Sequence, residues 1–383
     1  MDRAFDESRR DEPLELSAVH DGVLDAGIER ERRRGRGSLS NSSGRFEPHA
    51  RLVFDDGWQS LEELPPFKTF VQEERARKII TRNESPDIGF DRSINPYRGC
   101  EHGCIYCYAR PSHAYHGLSP GLDFETKLFV KPDAPELLAK ELAAPGYRPR
   151  MIALGTNTDP YQPIERKWRL TRRILEVLRE AGHPVGIVTK SALVMRDLDI
   201  LADMATRNLV KVALSITTLD HRLARAMEPR ASTPTRRLET IRSLAHSGVP
   251  AAVMVAPVIP AINDSEIERV LDAAAAAGAS EAGYVMLRMP LEIKDLFREW
   301  LKEHFPDKYR HVISLIRDLH GGKDYDATFG KRQTGTGPYA WSIGRRFELA
   351  CKRLGLNRRR LKLTTAHFHP PSSAGNQLDL FAA

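Results

Sequence analysis

The sequence predicts an α/β protein built on a full or partial β/α barrel. Three observations carry that expectation. From residue 151 onward, short apolar, β-branched runs alternate with longer stretches of helical periodicity, the pattern of a parallel sheet covered by helices. No G-x-G-x-x-G follows a strand, so the fingerprint of the doubly wound alternative is missing. Polar clusters collect where the strands end, at residues 156–165, 190–191, 215–218 and 257–264, which is where a barrel keeps its chemistry.

In chain order, residues 1–60 mix charge with Gly and Ser, as in the run Arg32-Arg33-Arg34-Gly35-Arg36-Gly37-Ser38. Such a composition buries too little apolar surface to offset its ordering entropy, so a mostly disordered arm is expected. Residues 61–290 form the expected barrel region. Strands are predicted over 151–154, 185–189, 210–216, 251–256 and 282–287. Helices are predicted over 171–178, where Ile174, Leu175 and Leu178 share a face, and over 198–204, 235–245 and 264–277. Residues 291–368 form a helical extension, with a polar Gly-rich segment over 321–337 and a basic helix over 342–354. Residues 369–383 read as a flexible tail.

The chain has 383 residues and a formal charge of +7, from 58 basic and 51 acidic side chains. That surplus favours an anionic partner such as nucleic acid without requiring one. Three of the four cysteines fall within eight residues and the fourth, Cys351, stands far off, which is not a disulfide spacing. The charged N-terminus offers no signal segment and no run of about 18 apolar residues occurs, so no membrane span and a cytoplasmic location are expected.

Cys100, Cys104 and Cys107 are spaced C-x3-C-x2-C, with Gly99 just before the first and Gly103 just before the second. Thiolates on a glycine-bearing loop suit an iron–sulfur cluster, because the glycines let backbone amides approach the sulfides. Three thiolates on a four-iron cluster leave one iron open. The competing reading is a non-enzymatic zinc or iron–sulfur binding module, a structural zinc taking His102 or His113 as fourth ligand; otherwise both histidines are expected at the surface near the loop.

This spacing, with an aromatic before the last cysteine, resembles the radical S-adenosylmethionine superfamily over about residues 93–287. Within it, the chain is most similar to the group related to spore photoproduct lyase and DNA repair photolyases. Thr158-Asp159-Pro160, Thr189-Lys190, Ser215-Ile216, Glu228-Pro229 and Val255-Ala256-Pro257-Val258 follow one another in that group's order. The resemblance implies a partial (β/α)6 barrel, a [4Fe–4S] cluster on Cys100, Cys104 and Cys107, and S-adenosylmethionine. It implies that the reduced cluster splits the sulfonium to methionine and a 5′-deoxyadenosyl radical, with an electron donor such as flavodoxin or ferredoxin. It places Tyr106 beside the adenine, Lys190 and Ser215 near the cofactor's carboxylate and ribose, and Thr158 and Asp159 near its amino group. Without a ligand these are a packed aromatic, a solvated lysine, a capping serine and an Asp-Pro turn. Where the lyase carries a hydrogen-donating cysteine, this chain has Thr156, so Cys351, Tyr97 and Tyr339 are the candidates to return a hydrogen atom.

Two features point toward DNA. Arg345, Arg346, Lys352, Arg353, Arg358, Arg359, Arg360 and Lys362 oppose a lone Glu348, a run suited to phosphates or to a solvated helix. Gln377-Leu378-Asp379-Leu380-Phe381 resembles the pentapeptide that docks on the bacterial sliding clamp, presented by a Pro/Ser/Gly linker. Together these readings predict a radical enzyme acting on DNA, with RNA, a peptide or a small metabolite as the other substrates.

Overall fold

A computed structural model describes residue 28, residues 33–47 and residues 67–371. Six parallel strands form the barrel wall: β1 (Arg92–Ile94), β2 (Ile152–Leu154), β3 (Val185–Thr189), β4 (Val210–Ser215), β5 (Ala251–Val258) and β6 (Glu281–Met286). They lie in sequence order, with registers such as Ser93 on Ala153 and Val185 on Val210, and the strand Ile80–Arg82 adds antiparallel to β1. The crossover helices are α1 (Ala134–Leu142), α2 (Leu170–Glu180), α3 (Leu198–Thr206), α4 (Pro234–His246) and α5 (Ile267–Ala276). Pro234 at the start of α4 and the Thr233 hydroxyl, which accepts from the Arg236 amide, show how local chemistry sets a helix start.

The core lies between sheet and helices. Val185, Ile187, Val210, Val212, Leu214 and Val253 point outward onto Ile174, Leu178, Leu201, Ile241, Leu244 and Leu271. The alternate residues of β3 to β5 include Gly186, Ala213 and Ala252 and are only half-buried, because six strands do not close on themselves. The barrel is therefore partial, and its interior stays open. β1 was not foreseen as a strand: Arg-Ser-Ile shows no apolar run, and the strand is fixed by pairing with β2.

Helices α6 (Ile293–His304), α7 (Tyr309–Leu319) and α8 (Gly337–Leu354) follow, and α8 packs on α5. Beyond α8 the chain runs as a strap along the ends where the strands begin. The Asn357 amide donates to Ser280, Leu361 to the Glu281 carboxylate, Thr364 to Asn208 and His369 to Ala181.

Part of the stretch expected to be a loose arm is laid down on the protein. The amides of Gly37 and Ser38 both donate to the carboxylate of buried Glu125, and Arg36 donates to the Glu125 carbonyl. The small Gly and Ser side chains that weaken a hydrophobic core are what permit this docking, since a Cβ at Gly37 would lie 1.8 Å from the Gly103 carbonyl oxygen. The rest of that stretch to residue 60 falls largely, and the clamp-like peptide Gln377 to Phe381 wholly, outside the described residues. No helix among the described residues is long and apolar enough to cross a membrane.

Candidate active site at the strand ends

The chain leaves β1 into the short strand Tyr97–Arg98, which pairs with Lys127–Val130 in a small sheet, and then enters the cysteine loop. Gly99 and Gly103 have φ of 71° and 67°. At Gly99 a side chain would also meet the Phe124 carbonyl at 2.8 Å, so glycine is required twice over. Backbone pairing holds each cysteine: the Cys100 amide donates to Phe124 (2.9 Å), the Ile105 amide to Met227 (3.0 Å) and the Cys107 amide to Cys104 (3.2 Å). Arg110, fully buried, donates through Nε to the Cys104 carbonyl and through Nη2 to Glu125. Gln162, from the segment after β2, takes the Glu101 amide and donates to the Gly99 carbonyl, gripping the loop on both sides of Cys100.

The three cysteines are free thiols. Burial pushes Cys104 up to about 12 and Cys100 well above the ordinary thiol value. Such thiols stay protonated unless a cation takes the proton's place, which suits them to a metal rather than to nucleophilic work. Among the described residues no three His, Cys, Asp or Glu side chains converge on one metal position. A cubane does not ask for that, because each thiolate binds a different iron. Three soft donors on a glycine-cradled loop would fit a [4Fe–4S] cluster, one thiolate to an iron.

Around the loop, Tyr106 is buried and its hydroxyl donates to Glu228. Glu228 also accepts from Thr217 (2.5 Å) and from Arg237, which donates in turn to the carbonyls of Ser215 (2.8 Å) and Ser232 (2.7 Å). This buried pair ties the Tyr106 ring to the end of β4. The Lys190 ammonium lies 5.7 Å from the Tyr106 ring centre and makes no hydrogen bond or ion pair among the described residues. Burial works against its charge, but the nearby carboxylates of Glu228 and Asp159 favour it, and its pKa lies above the ordinary lysine value. Ser215 donates to the Ala256 carbonyl (3.1 Å).

Asp159 is used differently from the expectation. Its carboxylate, read as an acceptor for a cofactor amine, is already filled by the Tyr161 amide (2.9 Å), the Thr189 hydroxyl (2.7 Å) and the Lys190 amide (2.8 Å), with His102 Nδ1 at 3.3 Å. Burial raises its pKa, but neighbouring His102 and these donors outweigh burial and leave it at about 2. Thr158 likewise spends its hydroxyl on the Tyr97 carbonyl (3.1 Å). His102 and His113 are buried rather than at the surface. His113 Nε2 donates to the Lys127 carbonyl (2.8 Å), and burial lowers its pKa to about 4.

The structure thus gathers Cys100, Cys104, Cys107, Tyr106, Thr158, Asp159, Lys190 and Ser215 at the ends of β1 to β4. Of the three expected hydrogen donors, Cys351 lies away from these strand ends, and the hydroxyls of Tyr97 and Tyr339 are spent on carboxylates. Cys351 sits in the apolar core under α8, where the next segment bonds to Ser280 and Ala282 at the start of β6, because the helix packs on α5 instead of folding over the mouth. Tyr97 is fully buried and donates to Glu165. Tyr339 donates to Asp264 (2.6 Å) beyond β5. The sequence reading had assigned no role to Gln162, Arg110, Glu125 or Arg237, whose partners lie far away in the chain.

Residues 94–274 match the Radical SAM superfamily. An uncharacterized protein of Mycobacterium bovis is 38% identical over 235 residues, 61% of this chain and 68% of that protein. One of Methanocaldococcus jannaschii is 26% identical over 241 residues, 62% of this chain and 85% of that protein. Spore photoproduct lyase complexed with dinucleoside spore photoproduct superposes with a TM-score of 0.54 at 15% identity, covering 75% of this chain and 80% of that one. A point mutant of the same enzyme gives 0.50 at 16% with the same coverage. These likenesses show the fold, and with the sequence match and the cysteine loop at the strand ends they establish that the chain belongs to the radical S-adenosylmethionine superfamily.

Proposed function

We propose that this protein cleaves S-adenosylmethionine reductively and turns the resulting radical on a base in DNA. The observation that carries the reading is the juxtaposition of three thiols on one loop with an unpartnered lysine and a buried tyrosine at the open end of the barrel. When bound, a [4Fe–4S] cluster on Cys100, Cys104 and Cys107 supplies the electron that splits the sulfonium. Lys190 offers the cofactor's carboxylate a protonated amine already desolvated by its surroundings. Tyr106, fixed by Glu228 and Arg237, presents a ring that cannot turn away, and Ser215 stands at the end of β4 for the ribose. Asp159 and Thr158 act one step back: Asp159 holds the Lys190 amide, and both brace the loop that follows β2.

The DNA assignment draws on the basic surplus, the clamp-like tail and the fold shared with spore photoproduct lyase. Thr156 in place of a thiol means that the reaction is not that lyase's own, since an aliphatic hydroxyl is a poor hydrogen-atom donor. A flavodoxin or ferredoxin is the proposed reductant, and the sliding clamp the proposed partner of Gln377 to Phe381.

Anaerobic reconstitution should load about four irons per chain, with absorption near ~400 nm. The reduced protein should release 5′-deoxyadenosine, and lesion-bearing oligonucleotides should stimulate that release. Cys104→Ala should take up no cluster. Stoichiometric zinc without iron uptake by the parent protein would overturn the reading.

A further inference from the structure

The mouth carries a group of cationic and aromatic side chains that none of the roles above uses. Arg288 follows β6, with its guanidinium 5.0 Å from the ring of half-exposed Tyr108, the residue after Cys107, and 5.9 Å from the ring of Tyr325. Its Nη2 donates to the Tyr325 hydroxyl at 3.1 Å, while its Nε is buried without a partner. The Tyr108 hydroxyl donates to the Thr156 carbonyl beyond β2, so these rings span the opening from β2 to β6.

Tyr325 belongs to the segment joining α7 to α8, and that segment is pinned along its length. Asp324 accepts from Arg298 (2.8 Å) and Arg317 (3.0 Å). Asp87 accepts from Arg332 (2.7 and 2.5 Å) and the Gly330 amide (3.2 Å), and the Met286 amide at the end of β6 donates to the Gln333 carbonyl (2.8 Å). Between the pins Phe329 is left 54% exposed, with the Arg332 guanidinium 4.7 Å from its ring centre. Lys323 and Lys331 flank it, exposed and without an ion pair among the described residues. Arg332 also lies close enough to Tyr325 and Tyr108 for its charge to be felt at both.

Phe329 belongs to no hydrophobic cluster among the described residues, so its ring is free to stack on a ligand. A flat ring beside cations is what stacks a base and pairs its phosphates, and that recognition reads a single strand because a duplex hides its base faces. An acidic peptide would use the lysines but not the exposed ring. We infer that residues 323–332 with Arg288 form a binding rim for single-stranded DNA, stacking one base on Phe329, placing flanking phosphates on Lys323 and Lys331, and leading the strand past Tyr108 to the cysteine loop. The choice of DNA rests on the proposed function above.

The test is fluorescence anisotropy of the anaerobic holoprotein with a labelled oligo-dT of about 15 nucleotides, a duplex of equal length and an oligo-U. The single DNA strand should bind tightest. Phe329→Ala should weaken it about tenfold, and Phe329→Tyr should restore most of the loss. Lys331→Gln should make the log–log salt slope shallower by about 0.7. Thermal melting of each variant checks that folding is unchanged, as expected for exposed side chains. If Phe329→Ala and Lys331→Gln both stay within about twofold of a parent that binds, the rim is refuted while the proposed function stands. Tighter binding of the duplex or of oligo-U refutes the single strand or the DNA. If the parent binds none of the three, the rim and the DNA assignment fall together, whereas 5′-deoxyadenosine release without nucleic acid would leave the radical chemistry intact.

Discussion

Replacing Glu125 by alanine should cost the protein its cluster, although Glu125 is not a ligand. Its side chain is fully buried, and its two oxygens accept from Arg110 Nη2 (2.5 Å), the Gly37 amide (2.9 Å) and the Ser38 amide (2.9 Å). Arg110 is itself fully buried and holds the carbonyls of Cys104, Pro120 and Gly121. Removing the carboxylate strands a guanidinium in the interior, which costs about 3 to 5 kcal/mol. Each amide left without an acceptor adds about 1 kcal/mol or more. A loss of roughly 5 kcal/mol is comparable with the whole stability of many domains, so Arg110 should move to find water and carry the Cys104 carbonyl with it. Glu125→Gln keeps an acceptor oxygen and the shape while losing the charge, and should fall between the two. Anaerobic denaturant unfolding measures the stability, and absorbance near ~400 nm during the same titration follows the cluster. The alanine variant should release iron at much lower denaturant than the parent. A shift of less than about 1 kcal/mol with iron retained would refute the argument that this pair holds the loop.

Three further outcomes are expected. Lys190→Ala should weaken S-adenosylmethionine binding, measured by calorimetry on the reconstituted protein, with iron content unchanged; unchanged affinity would remove Lys190 from the cofactor site. His183, buried between Tyr147 and Phe368, has Nδ1 at the Pro184 carbonyl (3.0 Å) and Nε2 at the Tyr147 hydroxyl (2.8 Å), and burial lowers it to about 4. Because the unfolded chain binds that proton first, this contribution is complete above pH ~6.5 and is lost as pH falls toward ~4, about 3 kcal/mol in all. Urea midpoints against pH should show that loss in the parent and much less of it in His183→Asn. Replacing Leu380 and Phe381 by alanine should abolish binding to a bacterial sliding clamp in fluorescence anisotropy while cofactor cleavage continues. Equal binding by both forms would end the clamp assignment.

What the sequence could show was governed by range. Ile174, Leu175 and Leu178 reveal their shared face within one helix, and the three cysteines reveal their chemistry within eight residues, so both were legible. β1 was not, because Arg92–Ile94 becomes a strand only through its neighbour β2. Gln162, Glu125 and Arg110 were invisible for the same reason, since nothing near them in the chain announces that their partners are Gly99, Gly37 and the Cys104 carbonyl. The position of Asp159 at a strand end was legible, while its saturation by Thr189 and Lys190 was not, since that depends on how β2 and β3 lie side by side. Where Cys351 would lie was not legible, because a helix's apolar face cannot say which part of the barrel it covers.

The polarity of the barrel also separates two sets of positive charge that look alike in sequence. Within the basic C-terminal run, Arg346 pairs with Glu268, Arg353 with Asp272 and Arg345 with Glu348, so three of its charges are matched on the outer surface. Arg359, Arg360 and Lys362 line a hollow with Gly248, Pro250 and Ser280, beside the starts of β5 and β6. Parallel strands put that end of the barrel opposite the cysteines. A phosphate held there is on the far side of the barrel from the cysteine loop, whereas Arg346, which donates to the Asp264 carbonyl beyond β5, lies toward the mouth but is paired with Glu268. The strap that carries Arg359 and Arg360 runs on to Ala181 by way of Asn208, so residue 371 lies at the same end as they do. On the opposite rim, Arg288, Lys323 and Lys331 have no ion pair among the described residues, while Arg332 is paired with Asp87, so the proposed DNA rim rests on the first three for its free charge.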